Sequence, residues 1–252
     1  MAEIILEAEH LSKVFTSHKT SFTAVEDVSF LLERGKCLGI VGESGSGKST
    51  VAKIITRLLP ATNGSIKLFG EEIIQKKGKE LRAIYKEMQM VFQTPMESFD
   101  PRRTLGVGIG ESLKNQGMSK KEVTERVKEL LVACGLPVEF ANRFPHEVSG
   151  GQCQRAAIAR ALAVEPSILI CDEVTSALDV TVQRQILDLL KELKQKKKIS
   201  FLFISHDLAV VQEFCDEVLV MYEGKIIERG TTDQIIHAPQ MDYTKKLLDS
   251  VL

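Results

Sequence analysis

The stretch GESGSGKST (Gly42, Glu43, Ser44, Gly45, Ser46, Gly47, Lys48, Ser49, Thr50) carries the densest chemistry in the chain. It fits the phosphate-binding loop pattern, in which glycines let backbone N–H groups turn inward around phosphate oxygens. Lys48 would place a point charge between β- and γ-phosphates. The Ser49 hydroxyl is suited to ligate Mg²⁺, and Thr50 is a candidate for the α-phosphate. Alone, this loop says only that a nucleoside triphosphate is held. ILICDE (168–173) adds an apolar run ending in two carboxylates. Asp172 could hold Mg²⁺ through water, and Glu173 could polarise an attacking water. One carboxylate after an apolar run is commonplace, whereas two in tandem downstream of a phosphate loop are specific. A second anion grip lies in VSGGQCQR (148–155). There Ser149, Gly150 and Gly151 gather a hydroxyl and backbone amides ahead of the helical QRAAIARALA, and a helix N-terminus attracts anions.

These residues need a frame. CLGIV (37–41), ILIC (168–171), FLFIS (201–205) and VLVMY (218–222) read as buried strands. Between them lie amphipathic helices. STVAKIITRLL sets Val51, Ile54, Ile55, Leu58 and Leu59 on one face, and TVQRQILDLLKEL sets Val182, Ile186, Leu189, Leu190 and Leu193 on another. Strands alternating with helices imply a mainly parallel sheet covered by helices. SIKLF (65–69), after a turn at Asn63-Gly64, and GKIIERG (224–230), after a turn at Glu223-Gly224, alternate as antiparallel strands do. Residues 94–156 break this rhythm. TPMESFDPRRT is polar, carries Pro95 and Pro101, and reads as loop. SKKEVTERVKELLVACG reads as a helix with a Ser119/Glu122 capping box and a stop at Gly135. The expectation is a single domain over 1–252. Its α/β core spans 1–93 and 157–252, and a helical subdomain is inserted at 94–156.

Bulk properties narrow the classes. The chain has 252 residues, 44% of them hydrophobic, and its net charge of −1 gives no general pull toward nucleic acid. Cys37, Cys134, Cys153, Cys171 and Cys215 show no CxxC or metal-ligand spacing, so reduced thiols in a cytosolic protein are expected. The start MAEIILEAEH lacks the basic and apolar regions of a signal peptide, and no apolar run is long enough to cross a bilayer. KQKKK (194–198) reads as a solvated helix end rather than an anion site.

The phosphate loop, VSGGQ, CDEVTSALD and ISHD fall in one order and spacing along the chain. Together they resemble the nucleotide-binding subunit of ATP-binding cassette (ABC) transporters over nearly the whole length. The resemblance implies a P-loop NTPase (RecA-like) α/β core with a small antiparallel β subdomain and an inserted α-helical subdomain. It further implies two cassettes packed head to tail with two ATP molecules between them. Ser149, Gly150, Gly151 and Gln152 would then face the γ-phosphate held by the other subunit, so each grip serves a different nucleotide. Gln93 matches the Q-loop glutamine, which senses Mg²⁺ and water. Ser176, Ala177, Leu178 and Asp179 match the D-loop, which crosses to the partner site. His206 matches the switch histidine that contacts the γ-phosphate. Phe15, in LSKVF, sits where an aromatic stacks on adenine, with a core phenylalanine as the competing reading. The chain departs from the family at Val174, where proline is usual after the glutamate, and mildly at Val148 and Cys171.

VFQTPMESFDPRRTLG and the tail APQMDYTKKLL, with its P-x-x-x-Y-T pattern, resemble importers of oligopeptides, dipeptides and nickel. The second, shorter ATPase type of that branch is the nearest likeness. It implies a second cassette subunit as partner (two copies of this chain being the alternative), two integral membrane permeases docked beside residues 93–104, and an extracytoplasmic substrate-binding protein. The place of work would be the cytoplasmic face of the membrane, with no nucleic acid involved. Two other readings stay open. One is a soluble non-transport ABC ATPase acting on nucleic acid or ribosomes, although the long coiled-coil insertion or tandem cassette typical of those proteins is missing. The other is a regulatory cassette, prompted by Val174. A GTPase lacks support because no NKxD motif occurs.

Overall fold

The structure is a computed structural model that describes residues 3–17, 20–176 and 178–249. The chain opens with two long strands, β1 (Ile4–Ser17) and β2 (Thr20–Glu33), followed by β3 (Cys37–Val41) and α1 (Lys48–Ile55). Next come β4 (Asn63–Leu68), β5 (Glu71–Glu72), α2 (Gly78–Glu87) and β6 (Met88–Val91). A helical stretch carries α3 (Leu105–Asn115), α4 (Lys120–Ala133) and α5 (Gly150–Leu162). Strands and helices then alternate through β7 (Ile168–Asp172), α6 (Val180–Lys197), β8 (Ser200–Ile204), α7 (Leu208–Phe214) and β9 (Glu217–Tyr222). The last elements are β10 (Lys225–Thr231), α8 (Thr232–His237) and α9 (Asp242–Asp249).

Two sheets form. One is antiparallel, in the order β2-β1-β4-β5. The other runs β10-β9-β3-β8-β7-β6, parallel from β9 through β6 with β10 antiparallel at its edge. Its inner strands are buried along their whole length, as the unbroken apolar runs require. Alternate side chains enter two different cores. Leu38, Ile40, Ile168, Ile170, Leu202 and Ile204 pack toward α1 and the antiparallel sheet. Cys37, Leu169, Cys171, Phe201 and Phe203 pack toward α5, α6 and α7. The hydrophobic residues of α3 and α4 (Leu105, Ile109, Leu113, Val127, Leu131) belong to this second core. The helical stretch is thus continuous with the sheet, and α5 runs unbroken across residue 156.

Several expectations need correction. The first amphipathic helix stops at Ile55. Thr56 Oγ1 donates back to Ala52 O at 2.8 Å, Arg57 takes a left-handed φ of 60°, and Pro60 follows. Leu58 is therefore 52% exposed rather than on the buried face. Asn63-Gly64 is not a turn but the start of β4. Gly64 (φ 108°) lies against the bulged part of β1, where a Cβ would sit 2.7 Å from Glu9 O, so only glycine permits the approach. Strands β1 and β2 escape sequence patterning, because their apolar residues do not alternate cleanly where register shifts interrupt the pair. The Ser119/Glu122 capping box and the left-handed Gly135 (φ 69°) stand as read. The five cysteines are free and buried, with the Cys37 and Cys215 thiols 3.4 Å apart. Lys194–Lys197 form the last turn of α6, where Lys194 pairs with Asp216 at 2.6 Å.

Candidate nucleotide site

Parallel strands β3, β8, β7 and β6 lie side by side in that order. Their C-terminal ends deliver the phosphate loop, His206, the Asp172–Glu173 pair and Gln93 to one rim of the sheet, the edge at which open α/β sheets bind ligands.

The loop after β3 is shaped by close packing. Gly47 has φ 102°, and a Cβ there would fall 2.4 Å from Ala24 O on β2. Gly47 is also the N-cap of α1, and no side chain caps that helix. The orphan N–H groups of its first turn are therefore left for an anion. Lys48 is only 3% exposed. Its Nζ donates to Gly42 O and Glu43 O at 2.7 Å each, and no carboxylate among the described residues forms an ion pair with it. Burial lowers its pKa, opposed by the charges of Glu173, Asp172 and Glu43. A buried ammonium whose partners are neutral oxygens suits an incoming phosphate.

Ser49 Oγ donates to Asp172 Oδ1 at 2.8 Å. Burial pushes the Asp172 carboxyl up, the Ser49 hydrogen bond pulls it down, and the neighbouring Glu173 charge pushes it up again. A cleft of about 380 Å³ opens beside the pair, lined by Ser49, Lys53, Gln93, Thr94, Ser98 and Asp172. Gln93 Nε2 donates to Glu173 Oε2 at 2.8 Å, and His206 Nδ1 lies 3.6 Å from the same oxygen. Glu173 itself holds a left-handed φ of 49°, an uncommon state for a non-glycine residue, fixed by its N–H to Ile204 O (3.0 Å) and its C=O to Ser176 N (3.2 Å). Val174 next to it is buried at 2% exposure. The structure thus brings together Lys48, Ser49, Gln93, Asp172, Glu173 and His206.

It does not bring VSGGQ to that group. Among the described residues, no hydrogen bond joins Ser149–Gln152 to the phosphate loop. Ser149 caps α5 and forms a capping box with Gln152. Gly151 is needed for packing, since a Cβ would lie 2.4 Å from Val182 Cγ1 on α6. Capping and packing therefore account for more of this string than its sequence suggested. Gly150 is the exception, with its nearest obstacle, Leu178 Cδ2, 4.0 Å away. Asp179 caps α6 through Val182 N at 3.0 Å, and Ala177 of the same motif lies outside the described residues. Phe15 is 43% exposed on the β1–β2 hairpin, opposite Phe22 and with Lys13 Nζ 5.2 Å from its ring, so the core reading of this side chain is wrong.

The family described as ABC transporter matches residues 25–176, which hold the phosphate loop, Gln93, VSGGQ and the Asp172–Glu173 pair. The chain belongs to the ABC transporter family. Its relatives include the oligopeptide transport ATP-binding protein OppF of Escherichia coli (strain K12), 48% identical over 230 residues, which are 90% of this chain and 69% of that protein. OppF of Bacillus subtilis (strain 168) is 45% identical over 254 residues, covering 100% and 83%. Among solved structures, the ATP-binding cassette MJ0796, in a dimeric post-hydrolysis state bound to ADP and Pi, superposes with a TM-score of 0.84 at 29% identity over 90% of this chain and 99% of that one. The chain is accordingly an ABC ATPase.

Two contributors were missed from sequence. The turn Glu223-Gly224 packs on the phosphate loop, with Gly224 N donating to Ser46 O at 3.1 Å. Tyr243, in the P-x-x-x-Y-T stretch, accepts a 3.0 Å hydrogen bond from the Glu43 N–H. The tail pattern was visible, but nothing in it pointed back across 200 residues of chain.

Proposed function

We propose that the chain is the ATP-hydrolysing subunit of an importer that takes up peptides across the cytoplasmic membrane. The observation that carries this reading is the convergence of Ser49, Asp172 and Gln93 on one cleft, with Glu173 hydrogen-bonded to Gln93. The phosphate loop amides and Lys48 bind the triphosphate. Gln93 holds the Glu173 carboxylate so that it accepts a proton from an attacking water, and His206, beside the same carboxylate oxygen, stabilises charge at the γ-phosphate. One hydroxyl, one buried carboxylate and one amide fit Mg²⁺, which is bound by few protein groups and shared with substrate phosphates. Ser49, Asp172 and Gln93 would hold it, and the ion would supply charge neutralisation between the phosphate oxygens.

Phe15 stacks on the adenine, and its exposure beside the hairpin supports this. Ser149, Gly150 and Gln152, with Asp179 of the D-loop, act on the nucleotide of a second cassette packed head to tail. The freedom around Gly150 supports that role. Closure of the cassette pair would pass to the permeases through residues 93–104. No helix among the described residues is long and apolar enough to cross a membrane, so in this reading two permease subunits and a different cassette chain hold the protein at the cytoplasmic face. Peptide is favoured over nickel as cargo because the OppF relatives are peptide transport proteins by name.

Affinity isolation of the tagged chain from detergent-extracted native membranes tests this. Two multi-span permeases, a second cassette and a peptide-binding protein are expected. Recovery of only ribosomal or DNA-bound partners would overturn the transport reading, and a metal-binding protein in the complex would overturn the cargo.

A further inference from the structure

The outer wall of the phosphate loop is built by the C-terminal part of the chain. Gly42 lies so close to β9 that a Cβ would fall 2.2 Å from Met221 O. The β9–β10 turn follows, with Glu223 and Gly224 both at positive φ (46° and 80°), and Gly224 N bonds to Ser46 O. Helix α9 stands against this turn. Tyr243 in its first turn packs on Tyr222 with ring centroids 4.4 Å apart and the rings tilted by 46°. The Tyr243 hydroxyl accepts the Glu43 N–H at 3.0 Å. The helix is itself pinned from β10, because the Glu228 carboxylate accepts from Gln240 N (2.7 Å), Met241 N (3.1 Å) and Thr244 Oγ1. Thr244, Leu247 and Leu248 bury its inner face.

We propose that Tyr243 is a positioning residue for the phosphate loop, holding the Glu43 peptide so that the following amides are pre-set for the triphosphate, and thereby tying nucleotide affinity to the docking of α9. This deepens the nucleotide-binding reading and rests on it. The physical ground is pre-organisation: a loop whose backbone is already oriented loses less freedom when it binds. Among the described residues Tyr243 is the one partner of the Glu43 N–H, and Lys48 holds the carbonyl of the same planar peptide, Gly42 O, so α9 and Lys48 fix that peptide from its two sides.

Tyr243→Phe keeps the ring on Tyr222 and removes only the accepting oxygen. Titration calorimetry on the full chain, with steady-state ATPase assays on the assembled complex, should show Kd and KM for ATP rising about 3- to 10-fold, the span of one net hydrogen bond, while kcat stays within about 2-fold. Amide hydrogen exchange at Glu43 should quicken in the same variant. Lys48→Ala runs in parallel as a control on the underlying reading. If Lys48→Ala loses ATP while Tyr243→Phe binds it as the native chain does, the Tyr243 proposal falls and the nucleotide site stands. A lower melting temperature in Tyr243→Phe with unchanged KM makes the tyrosine a mere prop for α9 and also overturns it. ATP binding undiminished in Lys48→Ala removes both.

Discussion

Ser49 Oγ and Asp172 Oδ1 meet at 2.8 Å although 123 residues separate them in the chain. The contact joins the first turn of α1 to the end of β7, across the intervening strand β8. A hydroxyl and a carboxylate that are both cation ligands by type are thereby held together by the sheet rather than by local sequence.

Asp172 is 5% exposed, and burial, the largest influence, raises its pKa. A carboxyl with a raised folded pKa keeps its proton in the folded state over a pH range where the unfolded chain has lost it. Its contribution to stability is greatest below the unfolded value and declines as pH rises through the window up to the folded value. Asp172→Asn should flatten that decline and raise the nucleotide-free melting temperature at neutral pH, while hydrolysis is lost. Thermal melts at several pH values, with and without Mg·ATP, check this. A lower melting temperature in the variant at neutral pH would refute it.

Glu173→Gln leaves the oxygen that Gln93 donates to but removes the base. ATP turnover should fall about 100-fold or more, within the range for a lost general base, with ATP affinity preserved. Near-native turnover with Glu173→Gln would sink the assigned chemistry.

Gly150 and Gly151 should respond oppositely to a methyl group. Gly151→Ala collides with Val182 and should cost about 1–3 kcal/mol of stability through the α5–α6 contact, read by denaturant unfolding. Gly150→Ala has room in the single chain, so its unfolding midpoint should stay near native. Its defect should surface only in ATP-driven association of cassettes, measured by light scattering. Equal destabilisation by both substitutions would remove the distinction.

Gly47→Ala strikes the loop itself. The added carbon meets Ala24 O at 2.4 Å in a conformation that L side chains rarely adopt, so both stability and ATP binding should suffer. Calorimetric titration that detects native ATP affinity in this variant would contradict the packing described for the loop.

Much of this was legible in the residues. The inner strands of the parallel sheet are legible because both faces are buried and the apolar runs are unbroken. The chemistry at their ends follows from spacing within short motifs. What escaped is long-range. Ser149 and Gln152 form a capping box, a local bond any helix start of that pattern makes, while the contact proposed for them lies on a second cassette, beyond any pattern in one chain. Gly151 answers to Val182, and Glu43 to Tyr243, contacts that no local pattern encodes. The end of α1 was overshot because Leu58 and Leu59 keep the helical period, while Thr56 and Arg57 turn the chain away first.

Helix α5 is held at both ends. Near its C-terminus the Arg160 guanidinium donates to Ser98 O and lies 4.5 Å from the Phe99 ring, both in the loop that follows Gln93. Its N-terminus carries Gly150. The rod between Gly150 and Arg160 is about 15 Å long at 1.5 Å per residue and is buried along most of it, so it cannot tilt without carrying Val182 and the start of α6. A push on residues 98 and 99 is therefore delivered at the far end to the caps at Ser149 and Asp179 together.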